Sequence, residues 1–239
     1  MLPKIIVCSF LAVLLCFWMR NDLSARPQPL PSLANEPRQE TTYTQPFSAT
    51  VGDHTYHIEP QYNYDLYGLV VSYRLHDGDF GIHHDWGDYL NVADVCVVWA
   101  DNAFSLDLTR YDFRNGEYTC YVETGNEQAW KQFRMEQLSN NHLITDNAYL
   151  RNRISELRIG DQIHIKGMLA SYSSNNGNPR GTSTTRTDTG NGACETIYVT
   201  GIERIAPYHN PWRYGMYLAI IVLAISLELY LKLPHRARE

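Results

Sequence analysis

The sequence predicts a mostly β domain of α+β class, a small OB-like Greek-key barrel, flanked by an N-terminal and a C-terminal membrane helix. Three observations carry this expectation. Both ends of the chain are apolar runs edged by basic residues. The middle is a series of short runs rich in Val, Ile, Thr and Tyr, bounded by Gly, Asn and Asp clusters, as strands are. One helical stripe interrupts those runs before two closing hairpins, the order expected of an OB-type barrel.

Residues 5–19 (IIVCSFLAVLLCFWM) are almost unbroken in apolar character, with Lys4 before them and Arg20 after. Fifteen helical residues cover roughly 22 Å, short of a hydrocarbon core of about 30 Å. That length and Lys4 suit a secretory segment, so residues 1–20 are read as an uncleaved signal anchor or a signal peptide. A cut after Ala25 would place the bulky Leu23 where a small residue is preferred. Residues 21–53 hold Pro27, Pro29, Pro31, Pro37 and Pro46. Proline at this density disfavours helix and sheet, and a solvated stalk is expected.

Residues 54–207 are read as a β-rich domain outside the cytoplasm. Strands are expected over 54–59, 67–73, 93–99, 118–123, 162–170 and 195–205. Leu150, Ile154 and Leu157 recur at helical spacing, with Thr145 or Asp146 as the cap and Gly160 as the stop. A second helix is expected over 127–138. Asn176-Gly177 and Asn191-Gly192 are hairpin signals, with a Thr-rich edge strand over 182–189 between them.

Residues 212–233 form the stronger membrane signal. About twenty apolar residues suffice to span. Trp212, Tyr214 and Tyr217 stand at one end, and Lys232, His235, Arg236 and Arg238 at the other. Aromatic residues sit at membrane interfaces and basic residues on the cytoplasmic side. Residues 234–239 are therefore read as a basic cytoplasmic tail. Glu228 is the discordant residue, and reaches the interface or pairs with a partner helix.

The chain carries 20 Lys and Arg against 26 Asp and Glu. Over residues 21–213 the balance is 15 against 24, a net of −9. Nucleic acid is held through phosphates by a basic face, which this domain lacks, so no nucleic-acid partner is expected.

The stretch Arg186-Thr187-Asp188-Thr189-Gly190-Asn191-Gly192-Ala193-Cys194-Glu195, with Asn141-His142-Leu143-Ile144 and Gly160-Asp161, resembles a family of uncharacterised bacterial exported or membrane-anchored proteins. The resemblance covers roughly residues 47–206 and implies an exported β-rich domain, with no activity and no functional residues attached. The chain departs from the family's pattern at Trp99-Ala100, where Trp-Gly is usual, and adds a C-terminal membrane helix. On this reading the protein sits in a bacterial inner membrane with its main domain facing the periplasm or the exterior.

Three constellations could carry chemistry. His76, Asp77, Asp79, His83 and Asp85, in the run 76–88, combine imidazoles and carboxylates that suit zinc or manganese. A polar loop joining two strands accounts for the same residues, and the spacing matches no EF-hand or HExxH pattern. Cys194 follows a glycine turn, and a thiol nucleophile would need a base such as His142; a buried structural cysteine is the plainer reading. Cys96 and Cys120 sit mid-strand and could form a disulfide in an oxidising compartment, with Cys120–Cys194 as the rival pairing. No cofactor is expected.

The expected function is a membrane-anchored extracytoplasmic binding or scaffolding domain whose partner is an envelope protein or a glycan. The alternative is an envelope enzyme using Cys194 as nucleophile or a metal held by the 76–88 segment.

Overall fold

A computed structural model describes residues 1–76, 85–116, 119–174, 179–185 and 194–233. The chain divides into two units, one of Met1–Arg26 with His209–Glu239 and one of Pro27–Tyr208. Among the described residues there are five α-helices, one seven-stranded sheet and one two-stranded sheet, a mixed α+β architecture.

The large sheet contains β1 (Arg38–Thr41), β2 (Phe47–Val51), β3 (His54–Leu75), β4 (Asn91–Val98), β7 (Leu138–Ile144), β8 (Gln162–Ser174) and β9 (Glu195–Ala206). β3 pairs antiparallel with β4 and also with β8. β4 pairs with β7, β7 runs parallel to β9, and β9 pairs with β8. The two expected strands at 54–59 and 67–73 are one continuous strand of 22 residues. It bends at a register shift between Pro60 and Tyr62, where proline's missing N–H makes a bulge the tolerated place for it.

β4 is buried along its whole length, and alternate side chains divide between two faces. Ala93, Val95 and Val97 enter the main core with Val70, Leu143 and Ile165. The expected helix is α4 (Ala148–Ser155), capped by Asn147, whose Oδ1 accepts from the Tyr149 and Leu150 amides. Leu150, Ile154 and Leu157 bury the predicted stripe against that core. Each such side chain stabilises by about 2 kcal/mol. Gly160 has φ +93°, and a Cβ there would lie 2.3 Å from the Tyr208 ring, so glycine is required on two counts.

Several elements differ from the sequence reading. Residues 27–53 lie on the sheet: Leu33 is fully buried, Leu30 N–H and Gln28 C=O bind the Gln162 side chain at 2.7 Å each, and β1 and β2 pair with β3. Proline excludes an inner strand position but leaves the edge open. The expected helix over 127–138 is shorter, α3 (Glu127–Gln132), and its last residues turn into β7. A short helix α2 (Ala100–Phe104) follows β4 through Ala100, whose φ is +45°. The small sheet is a hairpin of β5 (Asp112–Asn115) and β6 (Cys120–Glu123). Arg180 makes an isolated bridge to Tyr172 in place of a strand at 182–185. The residues at 186–193 and the tail at 234–239 lie outside the described residues.

The other unit pairs α1 (Leu2–Trp18) with α5 (Pro211–Lys232). Apart from Arg213, their buried residues are small: Ser9 and Cys16 on α1, Ala219 and Ser226 on α5. Small side chains allow close helix approach. A Cβ at Gly215 would lie 3.3 Å from Cys16 Sγ. Asn210 caps α5 through the Trp212 amide, and its Nδ2 donates to the carbonyls of Arg20 and Asp22 at 3.0 and 2.9 Å. Arg213 Nε also donates to Arg20 C=O, at 2.8 Å. α5 has 22 residues and a mean hydropathy of 1.9, long and apolar enough to cross a membrane. α1 is apolar but shorter, at 17 residues. Glu228 pairs with Lys232 one turn on in its own helix, at 2.5 Å.

Candidate functional site

The register of four strands sets two rows of polar side chains on the face of β4 that turns away from the core. In one row Arg74, Asp94, His142 and Thr196 face one another across β3, β4, β7 and β9. In the other, Ser72, Cys96 and Asn140 align across β3, β4 and β7. Cys194, two residues before Thr196, continues that second row and lies diagonal to His142.

Asp94 is fully buried, and His142 and Cys194 are each 6% exposed. His142 Nδ1 lies 2.5 Å from Asp94 Oδ1. Asn91 Nδ2 donates to the same Oδ1 at 3.1 Å, and His76 Nε2 lies 3.0 Å from the other oxygen, Oδ2. Cys194 stands diagonal to His142 across the β7–β9 pair and acts on its charge. Nδ1 of the ring is taken by Asp94. Asn140 Nδ2 donates to Cys194 Sγ at 3.3 Å.

Burial works against charge on both Asp94 and His142, and their mutual attraction overrides it. The His142 charge and hydrogen bond, with those of His76, hold the Asp94 carboxyl far below the usual carboxylate range. Asp94, and then Cys194, push the His142 imidazole up to about 10. The pair is therefore an imidazolium–carboxylate at neutral pH.

The β5–β6 hairpin covers the second row. Cys96 and Cys120 form the expected disulfide, with Cα atoms 5.9 Å apart. Asn115, opposite Cys120 in the hairpin, donates its N–H to Ser72 Oγ at 3.2 Å. Its Nδ2 lies 3.0 Å from Asn140 Oδ1 and 3.1 Å from Cys96 Sγ. Asn140 Oδ1 sits 3.8 Å from Cys96 Sγ, a packing contact because that sulfur carries no proton. Outside the hairpin, an open groove of about 490 Å³ is lined by Ser72, Tyr73, Arg74, Arg114, Asn115, Gly116 and Tyr121.

The structure thus brings together Cys194 and His142, the two residues singled out as nucleophile and base, and adds Asp94, Asn140 and Asn115. His164, another histidine of the domain, pairs instead with Asp65 at 2.8 Å and stacks on Tyr67. Of the five metal candidates, Asp77, Asp79 and His83 lie outside the described residues. His76 is engaged with Asp94, and Asp85 is exposed. No group of three or more His, Cys, Asp or Glu among the described residues is arranged to hold a metal ion.

Neither a family model, nor a curated protein, nor a solved structure matches the chain. What the site can do rests on its geometry: a buried carboxylate fixing an imidazole, with a buried sulfur close by.

Proposed function

We propose that the protein is a membrane-anchored thiol enzyme of acyl transfer or hydrolysis, with Cys194 as nucleophile, His142 as its proton partner and Asp94 as the group that orients and charges His142. The single observation that carries this is the buried Asp94–His142 pair, facing each other across β4 and β7, with the buried Cys194 diagonal to His142 just before β9. In this reaction the Cys194 sulfur, its proton lost to solvent, attacks a carbonyl carbon, and the adduct collapses to a thioester as the His142 imidazolium gives its proton to the leaving group. Water, giving a proton to the now neutral His142, then attacks the thioester, releases the acid and regenerates the sulfur and the imidazolium. This reading takes up the envelope-enzyme alternative that the sequence offered beside a binding domain.

The domain carrying the site is, on our reading, an OB-type barrel. Supporting it are the pairings β3–β4–β7–β9–β8, the return of β8 to β3, the parallel β7–β9 pair, and α4 between β7 and β8. Its tether is the helix pair. α5 leaves Leu218, Ile221, Ile225 and Leu231 more than half exposed, a surface suited to lipid. The basic residues after α5 favour a cytoplasmic end there, and so a domain on the opposite side of a bacterial inner membrane.

Acyl trapping tests the enzyme reading. The full chain in detergent is treated with p-nitrophenyl acetate at neutral pH, quenched in acid and mapped by peptide mass. An acetyl group on Cys194 in the wild type, lost in His142→Ala, is the expected result. Acetylation of Cys194 only after unfolding would make the cluster a structural hydrogen-bond network and reject the proposal.

A further inference from the structure

We infer that Asn140 is the oxyanion-stabilising donor of this site, and that Asn115, fastened over it by the Cys96–Cys120 disulfide, is the positioning residue that aims it. The inference rests on the reading of Cys194 as the nucleophile.

When a sulfur attacks a carbonyl, the C–S bond forms as the π pair moves onto oxygen. The resulting oxyanion lies one bond from the carbon now joined to sulfur. A donor that serves it must therefore sit close to the nucleophile and on one side of it, and must already be oriented. Asn140 meets this geometry. It faces Cys194 across the parallel β7–β9 pair, and its Nδ2 lies 3.3 Å from Sγ. His142 occupies a different side of the sulfur, since it stands one row further along β7. Nucleophile, proton carrier and donor are thus supplied by three separate groups.

A free amide could turn either end toward the sulfur. Here the choice is made by Asn115, whose Nδ2 donates to Asn140 Oδ1 at 3.0 Å. With its oxygen held there, Asn140 can present only N–H groups to Cys194. Asn115 is itself fixed at three points: its N–H on Ser72 Oγ, its amide against Cys96 Sγ, and its strand partner Cys120 bonded to Cys96. A buried disulfide on the back of this amide pair gives the covalent bond a local purpose: it holds the hairpin, and with it Asn115, over Asn140. Once the oxyanion collapses, the C=O bond re-forms, the leaving group departs with the proton from His142, and Asn140 returns to the sulfur.

Comparing two reactions of the same thiol tests this. Iodoacetamide alkylates sulfur by displacement at a saturated carbon, with no oxyanion. p-Nitrophenyl acetate acylates it through one. Both rates at Cys194 are measured in the full chain by quenched peptide mapping, which separates Cys194 from Cys8 and Cys16. Removing one oxyanion donor costs about 10²–10³ in rate. Asn140→Ala is expected to lower acylation by about 10²-fold while alkylation changes by less than about fivefold. Asn115→Asp places a carboxylate against Asn140 Oδ1 and turns that amide over. It is expected to lower acylation as much as Asn140→Ala, whereas Asn115→Ala lowers it less. Reduction of the disulfide is expected to follow Asn115→Ala.

Unchanged acylation in Asn140→Ala would overturn the inference and leave Cys194 as nucleophile. Equal loss of both rates would also overturn it, assigning Asn140 to the sulfur alone. Absence of acylation at Cys194 in the wild type would overturn the nucleophile reading, and this inference with it. Native circular dichroism of each variant shows that a lost acylation rate is not a folding defect.

Discussion

His142 Nδ1 stands 2.5 Å from Asp94 Oδ1, a contact between two residues that face each other across the antiparallel β4–β7 pair. Both are buried, and the sheet register holds them together whatever the loops do. Breaking a buried ion pair by removing one partner leaves the other charge uncompensated, at a cost of about 3–5 kcal/mol. Asp94→Ala is expected to lower stability by about that amount in urea titration. A change under about 1 kcal/mol would show that the pair is not held as an ion pair in the folded protein.

The same pair sets a pH window. His142 is raised from 6.5 to about 10 in the folded chain, so its contribution is fully present below pH 6.5 and is lost as pH rises toward 10. Asp94 is held far below its ordinary 3.8, so its contribution is present above that value and is lost as pH falls below it. Stability measured against pH should be highest between about 4 and 6.5 and fall on both sides. His142→Gln should remove the fall between pH 6.5 and 10, and an unaltered alkaline limb in that variant would refute the assignment.

The Cys96–Cys120 disulfide closes a segment with a sequence separation of 24. On the chain-entropy account such a closure stabilises by roughly 3 kcal/mol. Cys120→Ser, or reduction of the wild type, is expected to lower the unfolding free energy by about that much, read from denaturant midpoints at constant slope.

Ala100 has φ +45°, in the left-handed region where a Cβ crowds the backbone at a cost of about 1–2 kcal/mol. Ala100→Gly is expected to stabilise by about 1 kcal/mol, a Tm rise of roughly 2–4 °C for a domain of this size. A lower Tm would contradict the strained conformation.

Arg20 and Asp22 offer their carbonyls to Asn210 and Arg213. Loss of the first 25 residues would strip these partners from a buried arginine. The mature protein extracted from membranes is therefore expected to retain α1, and an N-terminus after Ala25 by Edman sequencing would contradict this.

Much of this was legible in the sequence, and for identifiable reasons. The α4 stripe of Leu150, Ile154 and Leu157 followed from periodicity, and Cys96–Cys120 was the first of the two pairings that an expected mid-strand place for each cysteine allowed. The partners of Cys194 were harder. Asp94 stands in an apolar run, two residues before Cys96, and that period of two was the available sign that both share a face turned from the core. β7 went unread as a strand because Ser139, Asn140, Asn141 and His142 are poor in β-branched character, yet all four are buried. Their pairing depends on long-range register, which no local window contains. Residues 27–53 were misjudged because proline density argues against inner strands and says nothing of edges.

The most direct measurement of the central claim is the rate at which iodoacetamide alkylates Cys194 in the folded full chain at neutral pH, set beside the rate in His142→Ala. A wild-type rate at least tenfold above the variant, with both proteins folded by circular dichroism, is the result expected of a thiol served by an imidazolium held on Asp94. Equal rates, or alkylation that begins only with unfolding, would contradict it.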